Sequence, residues 1–223
     1  MSSRIDILDI NIDLCTAKEA MKVAVECIES APVNVIEFAT VDSVMQMSEI
    51  PELKQEMDSF ELVLPGEKTI LDAAGVTDKK IIQEVENRVF LKMFLRYLHK
   101  HLKRVYLLVE SEEEAAEIYK YLGKSYKGIQ ICGVAKVSAT SRADMMLVNA
   151  INGSEIDCVL SILSSPLQED FIVKNKKLLD VRVWFGVGKD FLIEKEVKFG
   201  QGKIAQFFIK KIFKKEIEKQ HKN

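Results

Sequence analysis

The stretch Leu62-Val63-Leu64-Pro65-Gly66-Glu67-Lys68-Thr69, or LVLPGEKT, joins an apolar run to a polar turn. The run stops at a Pro-Gly pair, and an apolar pattern resumes at Ile70. A strand that turns sharply into a helix is typical of α/β proteins, which often carry functional residues at such strand ends. The stretch therefore predicts a strand–turn–helix unit with a site at the turn, although the tightest position holds glycine rather than a reactive side chain.

The alternation of strands and helices extends over most of residues 33–187. Capped helical patterns separate short apolar runs that predict strands at residues 33–39, 61–64, 105–109, 129–134, 158–163 and 181–187. Several runs are apolar on both faces, which indicates a parallel sheet covered on two sides. We predict a Rossmann-like α/β domain over residues 1–202, with mainly parallel strands, helices on both faces and a C-terminal helical appendage at residues 203–223.

Three details of this prediction concern particular elements. Residues 5–14 alternate apolar and polar side chains, as a small hairpin or an edge strand does. The longest helical pattern runs without a break from Ile81 to Leu102. Cys132 and Cys158 lie inside apolar runs and are expected in the core.

Composition limits the classes of function. The chain has 223 residues, of which 48% are hydrophobic and 30% charged, so it can bury the core of one large domain. None of its four cysteines forms a C-x-x-C pair, and no apolar run approaches the ~18 residues of a membrane span. We therefore expect a protein of the reducing cytoplasm.

The charge distribution is asymmetric. Residues 203–223 contain seven Lys and two Glu, which gives this segment a net charge of +5. Because the whole chain has a net charge of −2, residues 1–202 carry about −7. An acidic body argues against nucleic-acid binding. In a helix, the tail would separate apolar from basic residues, which favours an anionic membrane surface at the inner face of the membrane. Packing on the domain or on a second subunit is an equal alternative. The predicted membrane or acceptor contacts are Lys203, Phe207, Phe208, Lys210, Lys211 and Lys214.

The strand ends lack the standard site motifs. Residues 186–189 have no third glycine and no G-K-[ST], so they fail as a phosphate loop. His99 and His101 would point about 200° apart on a helix, and residues 164–165 lack the G-x-S-x-G of a nucleophile elbow. We therefore expect no metal site and no cofactor. The remaining candidates are oxygen and amide side chains at strand ends: Thr40, Asp42, Glu67, Gln168 and Glu169. Asp42 could instead cap its helix, and Glu67 and Glu169 could instead be favoured at helix N-termini.

These residues, in this order, resemble the WecG/TagA/CpsF glycosyltransferase family over nearly the whole chain. Five patterns of the family have similar stretches in this chain. They are I-x-I-L-x-I-x-I-D-x-x-T at residues 5–16, T-x-N at 40–42, D-L-V-L-P-D-G at 61–67, R-V at 88–89 and G-x-P-x-Q-E at 164–169. The resemblance implies inverting, metal-independent transfer of a hexosamine-type sugar from a UDP-sugar to a lipid-linked acceptor in cell-envelope polysaccharide synthesis. It implies substrate-binding roles for Thr40, Gly66, Arg88, Pro166, Gln168 and Glu169.

The chain departs from the family at the positions that carry chemistry. Gly66 replaces the general-base aspartate, Asp42 replaces the asparagine of T-x-N, and residues 110–114 hold four carboxylates that would repel a diphosphate. Asp42 or Glu67 could supply the missing carboxylate, so we predict these two as the catalytic residues of an enzyme with reduced or altered activity. The alternative is a catalytically inactive homologue that acts as a binding or regulatory partner in a glycan pathway. A homo-oligomer is compatible with both.

Overall fold

The computed structural model describes residues 3–139, 144–189 and 212–220. The strands within these residues are β1 (Ser3–Ile7), β2 (Ile10–Leu14), β3 (Asn34–Ala39), β4 (Leu62–Pro65), β5 (Arg104–Val109), β6 (Gln130–Lys136), β7 (Cys158–Ser161) and β8 (Val183–Gly186). The helices are α1 (Ala17–Glu29), α2 (Val41–Ser48), α3 (Pro51–Met57), α4 (Lys68–Ala73), α5 (Lys79–Glu86), α6 (Val89–Lys100), α7 (Glu112–Ser125), α8 (Asp144–Asn152) and α9 (Leu167–Asn175), with a 3-10 turn at Lys176–Leu178. Residues 212–220 are also helical.

The main sheet has six strands in the order β4-β3-β8-β7-β5-β6, and every neighbouring pair is parallel. One face packs against the hairpin β1–β2 and helices α2, α3, α8 and α9. The other face packs against α1, α6 and α7. Because helices cover both faces, the strands of this sheet other than the edge strand β6 are almost wholly buried. This confirms the predicted α/β fold class.

Local sequence sets the helix starts. Thr16, Thr40 and Ser111 each form a capping box at the N-terminus of α1, α2 and α7. Each capping side chain accepts a hydrogen bond from the backbone N–H three residues later, which satisfies a donor that the helix leaves without a partner. Residues 5–14 form the antiparallel hairpin that was one of the two predicted forms.

The long helix predicted from Ile81 to Leu102 is wrong. The chain forms α5 and α6 instead, separated at Arg88, whose φ of 52° is left-handed. A residue in this conformation cannot continue a right-handed helix. After the break, α6 buries Phe94, Leu95 and Leu98.

Cys158 is buried as predicted, whereas Cys132 is exposed. The register of β5 against β6 shifts at this point, because Val105 pairs with Ile131 and Tyr106 pairs with Gly133. Cys132 is therefore the extra residue of a bulge on an edge strand, where side chains are less covered. The core assignment of Cys132 from its apolar neighbours was wrong for this reason.

The helical segment 212–220 packs on the N-terminal hairpin. Phe213 and Ile217 are buried in the same core as the hairpin. Gln220 Oε1 accepts a hydrogen bond from Leu8 N at 3.0 Å, and Gln220 Nε2 donates to Asp6 Oδ1 at 2.6 Å. Lys214 is exposed. The other predicted membrane contacts, Lys203, Phe207, Phe208, Lys210 and Lys211, lie outside the described residues. Among the described helices, none has the length and apolar character to cross a membrane.

Candidate functional site

The carboxyl ends of β3 and β4 bring the predicted catalytic segment together. Ala39 pairs with Pro65, so the Thr40–Asp42 and Gly66–Glu67 turns are neighbours. Thr40 caps α2, because its Oγ1 accepts from Ser43 N at 3.1 Å and its N–H donates to Ser43 Oγ at 2.8 Å. Asp42 lies in the first turn of α2 and is exposed. A carboxylate in this position is stabilised by the helix dipole.

Gly66 occupies a confined position in the turn after β4. Its N–H donates to Ala39 O at 2.7 Å. A Cβ at this position would lie 3.0 Å from Ala39 O and 3.1 Å from Thr40 Cγ2. Both distances are tighter than ordinary van der Waals contact, so a larger side chain would have to displace backbone. The turn explains why glycine is suited to this position in the present chain.

The carboxylate of Glu67 accepts a hydrogen bond from the neighbouring helix α2. Its Oε1 accepts a hydrogen bond from Val41 N at 2.9 Å, although Glu67 is itself the N-cap residue of α4 and makes no side-chain hydrogen bond to that helix. The bond satisfies one of the first backbone donors of α2. Glu67 thus joins the two turns, and Asp42 is the more accessible of the two predicted catalytic carboxylates.

A buried carboxyl pair, which sequence reasoning missed in part, lies beneath this edge. Glu37 on β3 and Glu169 on α9 are both wholly buried. Gln168 Nε2 donates to Glu37 Oε1 at 2.9 Å, and Ser165 Oγ donates to Glu169 Oε1 at 2.5 Å. Glu37 Oε2 and Glu169 Oε2 have no hydrogen-bond partner among the described residues. The one sequence signal for Glu37 is a single carboxylate inside the apolar run of β3.

The two buried carboxyls are unfavourable to ionise together. Burial, followed by the charge of Glu169 and the hydrogen bond between the two side chains, raises the pKa of Glu37 well above its ordinary value. Burial also raises the pKa of Glu169, while its hydrogen bonds with Glu37 and Ser165 partly oppose this, and the charge of Asp42 adds to the rise. The pair therefore holds a proton at a higher pH than an ordinary carboxyl does.

Gly186 makes room for this pair. It lies on β8 in register with Glu37 on β3 and Ser161 on β7. A Cβ on Gly186 would lie 2.7 Å from Gln168 Nε2 and 2.9 Å from Glu37 Oε2. Two of the predicted substrate-binding residues, Gln168 and Glu169, are buried, with 2% and 0% of their surface exposed. Pro166, at the start of α9, is half-buried. Their role toward a nucleotide stays a prediction.

The carboxyl ends of β5, β7 and β8 are linked by a second acidic cluster. Glu110 Oε1 accepts from Ser164 N and Ser164 Oγ, both at 2.5 Å, and Glu110 Oε2 pairs with Lys189 Nζ at 2.9 Å. Lys189 also lies 3.6 Å from Glu114. Burial alone would raise the pKa of Glu110, but the hydrogen bonds from Ser164 and Lys189 outweigh it and lower that pKa.

Glu114 accepts hydrogen bonds from backbone N–H groups at the same edge of the sheet. Its Oε2 accepts from the backbone N–H groups of Glu110 and Ser111, at 3.0 and 3.2 Å. Amides at this kind of strand-to-helix turn are the donors that phosphates commonly use. In this chain a carboxylate of the protein occupies them. No group of three or more His, Cys, Asp or Glu among the described residues is placed to hold a metal ion.

The comparison with protein families agrees with this geometry. The model of the "Glycosyl transferase WecG/TagA/CpsF family" matches residues 5–195, which is most of the chain. The chain belongs to the WecG/TagA/CpsF glycosyltransferase family. The match spans the hairpin, the parallel sheet and both acidic clusters, so it confirms the resemblance seen in the sequence. The family places the protein among glycosyltransferases of cell-envelope polysaccharide synthesis. A search of curated proteins finds no match to the chain.

Proposed function

We propose that this family member transfers a hexosamine-type sugar from a UDP-sugar to a lipid-linked acceptor at a reduced rate, with Asp42 as the general base. The observation that carries the proposal is the accessibility of Asp42 beside the turn where Gly66 replaces the usual base. Glu67 lies on the same edge, but its carboxylate accepts from Val41 N. Of the two predicted catalytic carboxylates, Asp42 can reach a substrate hydroxyl with less rearrangement.

The chemistry requires one carboxylate within hydrogen-bond reach of the acceptor hydroxyl. Asp42 would accept the hydroxyl proton as the acceptor oxygen attacks the anomeric carbon and the bond from that carbon to UDP breaks. A base one strand away from the family position accounts for the reduced rate, because misplacing a catalytic group by ~1 Å can cost about a hundredfold.

The activity test uses UDP release in the presence of a panel of UDP-sugars and lipid-pyrophosphate sugar acceptors. We expect slow, acceptor-dependent release from the parent protein. Asp42→Asn should lower the rate by about 10²–10⁴, the usual contribution of a general base. Glu67→Gln keeps an oxygen that can accept from Val41 N, so it should lose less than about tenfold. If Asp42→Asn and Glu67→Gln have equal rates, Asp42 is not the base.

A second candidate function is supported by the cluster around Glu110. Lys189, Ser164 and the backbone amides of Glu110 and Ser111 already have carboxylate partners at the edge where a UDP diphosphate is expected to lie. This arrangement favours a catalytically inactive homologue that binds or regulates a partner in a glycan pathway. The active transferase and the inactive homologue differ in one property, which is whether UDP can bind at this edge in the presence of the Glu110 carboxylate.

The placement at the membrane is also a proposal. Lys214 is exposed on a helix whose apolar residues Phe213 and Ile217 pack on the hairpin. A basic face held in this way could attract anionic lipids without inserting apolar side chains. We propose that the protein works in the cytoplasm, at the inner face of the membrane, where a lipid-linked acceptor would be accessible.

A further inference from the structure

The outward surface of α7 carries a stripe of four charged side chains. With 3.6 residues per turn, positions 113, 117, 120 and 124 lie within about 60° of one another around the helix axis. The stripe lies on the side of α7 that faces away from Ile118 and Leu122, the residues that this helix buries. All four side chains of the stripe are exposed, and they are Glu113, Glu117, Lys120 and Lys124.

The charges of the stripe form two blocks along the helix. The two glutamates are four residues apart and precede two lysines that are also four residues apart, so like charges are neighbours on the helix surface, which destabilises an isolated helix. The helix dipole favours acidic residues in the first turn and basic residues in the last turn. It does not account for Glu117 and Lys120, which lie in the middle of α7. Within the part of the chain that the structure describes, no residue of the stripe forms an ion pair.

Exposed apolar side chains lie beside the stripe. Tyr119 on α7 is 55% exposed, and Val134 on β6 is 40% exposed. Val134 is on the same face of the sheet as α7, because it pairs with Leu107, which belongs to the core beneath that helix. A Cβ on Gly123, also on the outer surface of α7, would meet no atom within 4 Å, so packing within the chain does not require glycine there. The surface therefore combines an ordered set of charges with apolar area, as protein interfaces do.

We propose that the outer surface of α7 binds the same surface of a second copy of this chain, with the two helices antiparallel. A two-fold axis between positions 118 and 119 would place Glu113 opposite the partner's Lys124 and Glu117 opposite the partner's Lys120. The symmetry repeats both contacts, so four pairs of opposite charge form. A second copy fits this surface because the order of charges along the stripe is its own complement when the helix is reversed. A parallel pair in register would place like charges opposite each other.

The expected complex is a weak dimer. The contact is one helix wide, whereas stable complexes commonly bury about 800 Å² on each partner. We expect a dissociation constant of roughly 10–100 µM, so the chain is mainly monomeric at low micromolar concentration. The proposal goes beyond the transfer reaction, and its test uses no sugar nucleotide, so the two can fail separately.

The test is sedimentation equilibrium of the full chain between about 1 µM and about 300 µM, in roughly 50 mM salt. We expect the 25.3 kDa monomer to give way to a dimer as the concentration rises. Glu113→Lys/Glu117→Lys and Lys120→Glu/Lys124→Glu each leave a stripe of one sign. Each variant alone should have a dissociation constant at least about tenfold higher than the parent. An equimolar mixture of the two variants should associate again, because the two stripes are then complementary.

The control is Glu26→Lys/Glu29→Lys, which reverses two exposed charges on α1 and should associate as the parent does. The proposal is overturned if the parent stays monomeric at about 300 µM, if the α1 variant is weakened as much as the α7 variants, or if the mixture does not associate. Near-ultraviolet circular dichroism establishes that each variant is folded. Should an α7 variant fail to fold, the parent alone still tests the proposal. Raising the salt from about 50 mM to about 500 mM should weaken its association at least about fivefold, and an association insensitive to salt would count against the charged stripe.

Discussion

Replacing Glu37 with glutamine is expected to raise the free energy of unfolding at pH 8 by roughly 1–3 kcal/mol. Glu37 and Glu169 are both buried, and burial raises the pKa of both, so the folded pair holds a proton above the ordinary carboxyl pKa. In Glu37→Gln, the new amide would keep its oxygen for Gln168 Nε2 and donate its N–H to Glu169 Oε2. One buried charge is then served by two donors, and no bound proton is needed.

The increase in the free energy of unfolding caused by Glu37→Gln should become larger as pH rises. The folded pair has raised pKa values, whereas the unfolded carboxyls titrate near their ordinary value of 4.5. Above that pH the unfolded state binds fewer protons than the folded state, so the stability of the parent falls as pH rises. Thermal unfolding measured from pH 4 to pH 8 should show a smaller decline for Glu37→Gln than for the parent. Glu117→Gln, at an exposed position on α7, is the matched control and should follow the parent. Parallel curves for Glu37→Gln and the parent would contradict the raised pKa values of the folded pair.

Phe213→Ala is expected to destabilise the protein by about 3 kcal/mol, which lowers the melting temperature by ~6–12 °C. Phe213 is 1% exposed and packs in the same core as the hairpin. Ile212, its neighbour, is 51% exposed, so Ile212→Ala should leave the melting temperature within about 1 °C. Equal melting temperatures for both variants would show that Phe213 does not dock on the domain in solution.

Much of the fold could be predicted from the sequence because its signals are local. Apolar runs of strand length, together with capping boxes at Thr16 and Ser111, define the order of strands and helices. The break at Arg88 could not be predicted in this way, since both flanking segments have helical periodicity and no Gly or Pro marks the boundary. Exposure of Cys132 depends on a bulge and on an edge strand, which are properties of strand pairing and not of the surrounding sequence.

The candidate site was predictable in position but not in its contacts. Strand ends locate Thr40, Asp42 and Glu67 because parallel strands place their carboxyl ends at one edge. The direction of a side chain at that edge depends on which donor is nearest, and Glu67 faces α2 for this reason. Glu37 gave little signal, because its partners Gln168 and Glu169 lie more than 130 residues away in the sequence.

The central claim, that this chain retains a UDP-sugar site, is tested most directly by calorimetric titration with UDP. The parent should bind saturably, and UDP at a hundredfold over its dissociation constant should add about 2.7 kcal/mol to the free energy of unfolding. Glu110→Gln should bind UDP more tightly, because it removes a negative charge beside Lys189 while keeping an acceptor for Ser164. Glu112→Gln, whose side chain is 88% exposed, is the control and should match the parent. No detectable UDP binding by the parent or by Glu110→Gln would contradict the transferase account and leave the inactive homologue.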